Sequence, residues 1–151
     1  MAGAEPGTTV RILAVDLGAR RIGLAVSDPL GLTAQGLPSL ERGRDAVGQV
    51  LEVCRDLGVG EVVVGLPLNM NGTRGPAAAA AERFAAELAA RGGLPVVSWD
   101  ERLSSVAVER VLVQAGVSRA KRRKRGLIDR GAATVLLQAY LDRRRRGPGS
   151  P

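Results

Sequence analysis

Residues 10–27, VRILAVDLGARRIGLAVS, decide the fold: two apolar, β-branched-rich runs, Val10–Asp16 and Ile22–Ser27, flank a short connection holding Gly18 and the Arg20-Arg21 pair. Strand-forming runs joined this tightly predict an antiparallel hairpin. A weaker third strand is expected at Thr33–Leu40, where Pro38 favours a sheet edge because it cannot donate to a ladder. From Asp45 the apolar residues Ala46, Val47, Val50, Leu51, Cys54 and Leu57 recur at steps of one, three and four, predicting an amphipathic helix that stops at Gly58. Cys54 on that face reads as a buried small hydrophobe rather than a reactive thiol. Glu61–Leu66 (EVVVGL) is a continuous apolar run of the kind found in a central strand covered on both faces.

A loop at Pro67–Gly75 follows, and Pro76 opens an Ala-rich helix to Arg91, ended by Gly92-Gly93. Leu94–Trp99 is the fifth strand, Ser105–Ala115 a helix closed by Gly116, and Leu127–Asp142 the last helix. Three consecutive strands followed by alternating strand and helix predict an α/β fold. Its mixed five-stranded sheet is antiparallel over the first three strands, then parallel through right-handed crossovers, and flanked by helices. Residues 1–9 read as a disordered leader, 10–142 as the folded domain and 143–151 as a basic disordered tail.

Composition narrows the chemistry. The chain of 151 residues suits one domain, and 45% hydrophobic with 25% charged residues supplies an ordinary core. There is no histidine and one cysteine, which excludes disulfide scaffolds, Cys/His zinc sites, Ser-His-Asp triads and Cys-His dyads. No apolar run approaches the ~20 residues of a membrane span, so a cytoplasmic protein without membrane contact is expected. Three aromatic residues, Phe84, Trp99 and Tyr140, are too few for a platform of stacked bases. Trp99 and Tyr140 read as core or site-wall residues.

The net charge of +7 is unevenly placed, with six basic residues in Arg119–Arg125 (RAKRRKR) and four in Arg143–Arg146. The remainder carries 12 basic against 15 acidic residues. An acidic body with basic segments suits a protein that grips a polyanion and holds a carboxylate site beside it. The plain alternative is that such runs are solvated faces.

The carboxylates Asp16, Asp100, Glu101 and Asp129 fall at the ends of strand one and strand five and in the first turn of the last helix. In open sheets, ligands bind beyond the carboxyl ends of strands. Acids gathered there repel one another, and Mg²⁺ relieves this with the oxygen ligands that a histidine-free chain can offer. Two such ions about 3.5–4 Å apart would serve hydrolysis of a phosphodiester. The alternative is that the acids are caps and turn formers, as Asp28 before Pro29 is expected to be.

The runs AVDLGARRIGLAVSD (14–28), VVVGLPLNMNGT (62–73), DERLSS (100–105) and GLIDRGAATVLLQAYLD (126–142) closely resemble the YqgF/RuvX family of pre-16S rRNA nucleases, also called Holliday-junction-resolvase-like proteins. The resemblance covers nearly all of Val10–Asp142. It implies a ribonuclease H-like fold, a Mg²⁺- or Mn²⁺-dependent nuclease site of Asp16, Glu101 and Asp129, and a role in maturing the 5′ end of bacterial 16S rRNA. Related resolvases place a carboxylate at the end of strand four, where this chain has Asn69 and Asn71, so Glu101 on the neighbouring strand would supply the acid.

Around that site Arg20, Arg21 and Arg102 are candidate phosphate contacts, with ion pairs to the same acids as the alternative. Asn69 and Asn71 are candidate substrate hydrogen-bonders or simply turn formers. Arg119, Lys121, Arg122, Arg123, Lys124 and Arg125 would hold more distant phosphates. Three other functions compete: a four-way-junction DNA resolvase, a non-catalytic RNA-binding assembly factor, and a sugar-kinase-like or actin-like ATPase. The last needs a second such domain and a second Gly-rich phosphate loop, which the chain does not have.

Overall fold

In a computed structural model, residues 10–104, 115, 116, 118 and 131–147 are described. The expected leader at 1–9, all but the last residue of the helix expected at Ser105–Ala115, the basic run 119–125, Asp129 and the last four residues lie outside them. Strands β1 (Arg11–Leu17), β2 (Arg21–Ser27) and β3 (Ala34–Glu41) come first. Helix α1 (Ala46–Leu57), strand β4 (Val59–Leu66), helix α2 (Pro76–Gly92), strand β5 (Val96–Asp100), a 3-10 turn at Glu101–Leu103 and helix α3 (Ala132–Arg146) follow. The sheet order is β3-β2-β1-β4-β5. β1 pairs antiparallel with β2 and parallel with β4, and β4 pairs parallel with β5, as the order of elements predicts. β3 lies at one edge with most of its side chains exposed, where Pro38 costs no ladder bond.

Strand alternation assigns the two faces. Leu13, Val15, Leu24, Val26, Val62 and Val64 pack against Val47, Val50 and Cys54 of α1 and Phe84 and Leu88 of α2. Ile12, Ala14, Ala25 and Val63 point the other way, onto Ala133, Leu136, Leu137 and Leu141 of α3. Covering on both faces is why β1 and β4 read as unbroken apolar runs. Cys54 is 3% exposed, and burial pushes its thiol up to about 11, so it behaves as core.

The local stops are those the sequence contains. Asp45 caps α1 by accepting from the Gly48 amide, and Gly58 closes the helix at φ 66°. Asp28 folds the β2–β3 turn by accepting from the Leu32 and Thr33 amides at 2.7 and 2.9 Å. Gln138 of α3 then ties that turn down, accepting from the Ala34 amide and donating to the Leu32 carbonyl.

At its far end α3 departs from expectation, continuing through Arg146 rather than giving way to a tail at 143. Arginine is a good helix former, and cations are favoured in a last turn. Tertiary partners add to this: Arg144 pairs with Glu61 of β4 at 3.1 Å and lies over the Tyr140 ring, while Tyr140 donates to Glu61 and Arg145 pairs with Asp142. Tyr140 also meets Trp99 edge to face at 5.4 Å, so both aromatics belong to the packing of α3 on the sheet. Among the described residues no helix is long and apolar enough to cross a membrane.

Helices α1 and α2 are joined by Arg91, whose guanidinium meets Asp45 at 2.7 and 2.9 Å and Glu87 at 2.9 Å. Arg91 holds the Asp45 carboxyl down at about 2. A carboxyl whose folded pKa lies below its unfolded one contributes stability that is complete above about pH 4 and lost as pH falls through the folded value. Asp45→Asn keeps a capping oxygen and discards the ion pair. Its deficit in denaturant unfolding is predicted to stay constant from about pH 7 to 4 and to vanish towards pH 2.

Candidate active site

β1, β4 and β5 run parallel, so their carboxyl ends share one edge of the sheet, and Asp16, Asp100 and Glu101 lie at the ends of β1 and β5. Asp16, next to last in β1, lies on the α3 face with Ile12 and Ala14. Its partner across the β1–β2 ladder is Gly23. A Cβ on Gly23 would lie 3.4 Å from the Asp16 Cβ, 3.7 Å from its Oδ2 and 3.8 Å from the Ala133 Cβ, so Asp16 sits beneath the first turn of α3. Asp16 also lines a cleft of about 550 Å³ with Arg20, Arg21, Ser39 and residues 131–134 of the α3 amino end.

Glu101 reaches the same edge from β5. The 3-10 turn is capped by Asp100, which accepts from the Arg102 amide, and closed by the Ser104 amide donating to the Glu101 carbonyl at 3.1 Å. The turn sends the Glu101 side chain inward, leaving it 2% exposed. Its Oε1 occupies space that Gly65 leaves open, since a Cβ there would lie 2.6 Å away. Asp16 and Gly65 each follow the paired residues Val15 and Val64 on neighbouring strands. The Glu101 carboxylate therefore lies over β4, the strand that pairs with the one carrying Asp16.

The arginines divide into two kinds. Arg20 and Arg21 are exposed at the β1–β2 turn, and among the described residues neither has an ion-pair partner, leaving both guanidinium groups available to an anion. Arg102 is engaged: Nε and Nη2 donate to Asp100 at 2.7–3.1 Å, and Nη1 donates to the Met70 carbonyl at 3.2 Å. The Arg102 guanidinium holds the Asp100 carboxyl below the usual carboxylate range. Asn69 and Asn71 shape a tight loop: Asn69 Nδ2 donates to Thr73 Oγ1, Asn71 Oδ1 accepts from the Thr73 amide and hydroxyl, and Gly72 turns the chain at φ 87°.

Asp16 and Glu101 offer only oxygen donors, the kind a hard divalent cation takes. Among the described residues no group of three or more such ligands gathers. Gly65 did not stand out in the sequence. Its signal is a glycine interrupting an apolar central strand, a mark of close approach by another group. Leu136 Cδ1 also lies 2.6 Å from a Gly65 Cβ, and both neighbours are buried and cannot swing away. Gly65→Ala is therefore predicted to lose about 1–3 kcal/mol in denaturant unfolding, and Gly23→Ala less than about 1 kcal/mol.

Comparison with known proteins fits this geometry. Residues 10–143 match the family model described as RuvX: Holliday junction resolvase. A Geobacillus kaustophilus relative named "Putative pre-16S rRNA nuclease" is 54% identical over 140 residues, covering 90% of this chain and all of the relative. A Symbiobacterium thermophilum relative of the same name is 50% identical over 141 residues, covering 92% and 96%. Among solved structures, Thermus thermophilus RuvC in complex with Holliday junction substrate superposes with a TM-score of 0.53 at 20% identity, over 95% of this chain and 99% of that one. That likeness shows the ribonuclease H-like fold. With the family model spanning nearly the whole domain and half its residues identical to full-length relatives, the chain belongs to the RuvX family.

Proposed function

We propose that this chain is a metal-dependent nuclease that hydrolyses phosphodiester bonds and matures the 5′ end of pre-16S rRNA in the bacterial cytoplasm. The observation that supports this reading is that Asp16 lies near the end of β1 and the Glu101 carboxylate lies against Gly65 of the neighbouring β4, in a family whose curated relatives are named "Putative pre-16S rRNA nuclease". Residues 10–142 act as the nuclease domain. Asp16, Glu101 and Asp129 would hold Mg²⁺ or Mn²⁺. When bound, such an ion lowers the pKa of a water and offsets charge on the leaving oxygen.

The chain's own residues do the rest. Glu101 is buried against Gly65, and a charge away from bulk water acts through a stronger field. Arg20 and Arg21 hold phosphates beside the scissile one, and the loop carrying Asn69 and Asn71 lines the path of the strand. Arg119, Lys121, Arg122, Arg123, Lys124 and Arg125 grip more distant phosphates, so binding weakens steeply with salt. No side chain is needed as a general base.

A second reading, resolution of four-way DNA junctions, is favoured by the family's description and by the RuvC fold. A resolvase acting on a two-fold symmetric junction needs paired active sites, and so a stable dimer. End-labelled 5′-extended 16S precursor, a mobile four-way junction and a plain duplex, each with Mg²⁺, Mn²⁺ or EDTA, separate the readings. Metal-dependent cutting of the RNA alone, lost in Asp16→Asn by at least ~10²-fold, is expected. Symmetric nicking of the junction by a dimer supports the second reading, and RNA bound intact under every metal means that the site is no nuclease.

A further inference from the structure

Arg102 lies in the turn that carries Glu101, yet its guanidinium is spent inside the protein. Nε and Nη2 meet both oxygens of Asp100, Nη1 reaches the Met70 carbonyl in the β4–α2 loop, and the Arg102 amide donates to Asp100 as well. Gly72, at φ 87°, lies flat against the group, since a Cβ there would stand 3.5 Å from Nη1. One side chain thus fastens the end of β5 to the loop leaving β4. Glu101 is held between the two residues of the ion pair, and its carboxylate lies against Gly65 of that same β4.

Glu101 opens a three-residue 3-10 turn tied at its ends by Asp100 and Ser104, so whatever fixes that turn fixes where its carboxylate lies. The planar fork of arginine can satisfy Asp100 and Met70 together, whereas a lysine ammonium has no matching geometry. From these contacts we infer that Arg102 is a positioning residue. Its guanidinium latches the 67–75 loop to the 100–104 turn and thereby aims the Glu101 carboxylate into the site. The inference rests on the nuclease reading for its kinetic consequence, and on the hydrogen bonds alone for the latch.

The test uses the full chain with Arg102→Gln, Arg102→Lys, Asp100→Asn and the Asp100→Asn/Arg102→Gln pair. For a positioning residue, kcat falls about 10- to 100-fold in each single variant with KM within about twofold of wild type, and Mn²⁺ affinity falls by a similar factor. The pair loses no more than either single change, because both break one unit. In an Asp16→Asn background, the salt dependence of RNA binding stays unchanged by Arg102→Gln. A raised KM, a salt slope reduced by about 0.7 and recovery in Arg102→Lys would instead make Arg102 a phosphate contact and overturn the inference. Wild-type kcat and Mn²⁺ affinity in Arg102→Gln would overturn it too.

If the wild type neither cuts RNA nor binds Mn²⁺, the nuclease reading falls and hydrogen exchange decides the latch. Faster exchange of the Gly72, Arg102 and Ser104 amides in Arg102→Gln and Arg102→Lys, with the β1 and β4 amides unchanged, is expected. Unchanged exchange at those three amides shows that no latch exists.

Discussion

Helix α3 packs so closely on the sheet that several strand positions beneath it hold glycine or alanine. Ala14 and Ala25 are fully buried there, a Cβ on Gly36 would come within 3.0 Å of Thr134 Oγ1, and one on Gly65 within 2.6 Å of Leu136 Cδ1. Small residues under a helix shorten the distance between layers, and interiors are dense enough that any added methylene is felt. The same missing side chains give the acids their places. Asp16 stands across from Gly23, and Glu101 fills the space over Gly65. Packing and chemistry are thus two uses of one close approach.

Charge is arranged around that contact by pairing. Arg91, Arg144 and Arg102 each serve an acid and join elements distant in the chain: α1 to α2, α3 to β4, and the turn after β5 to the loop after β4. Exposed pairs contribute little each, so their effect is on geometry more than on stability. Arg20 and Arg21, without an acid partner among the described residues, stand beside Asp16 at the mouth of the cleft. Two cations beside a carboxylate give this cleft a mixed field, positive at its mouth.

Much of this was legible in the sequence because it is local. The β1–β2 hairpin, the limits of α1 at Asp45 and Gly58, the burial of Cys54 and the edge position of β3 follow from periodicity and turn chemistry. The placing of Asp16 and Glu101 at strand ends follows from counting elements. Other features depend on partners far away in the chain. Arg146 ends a helix and not a tail partly because Glu61, on another strand, receives Arg144. Arg102 reads equally as a phosphate contact or an ion pair until the Met70 carbonyl is found beside it. The role of Gly65 needs the 3-10 turn that inverts Glu101, and no period in the sequence encodes that turn.

The central proposal is that Asp16 and Glu101, with Asp129, would hold a divalent cation. It is tested most directly by the anomalous scattering of Mn²⁺ in crystals of the full chain grown with that ion. The account predicts a peak between the β1 and β5 ends, within bonding distance of oxygens of both carboxylates. A well-ordered crystal with no peak there, or with Mn²⁺ bound only by acids elsewhere on the surface, would contradict it.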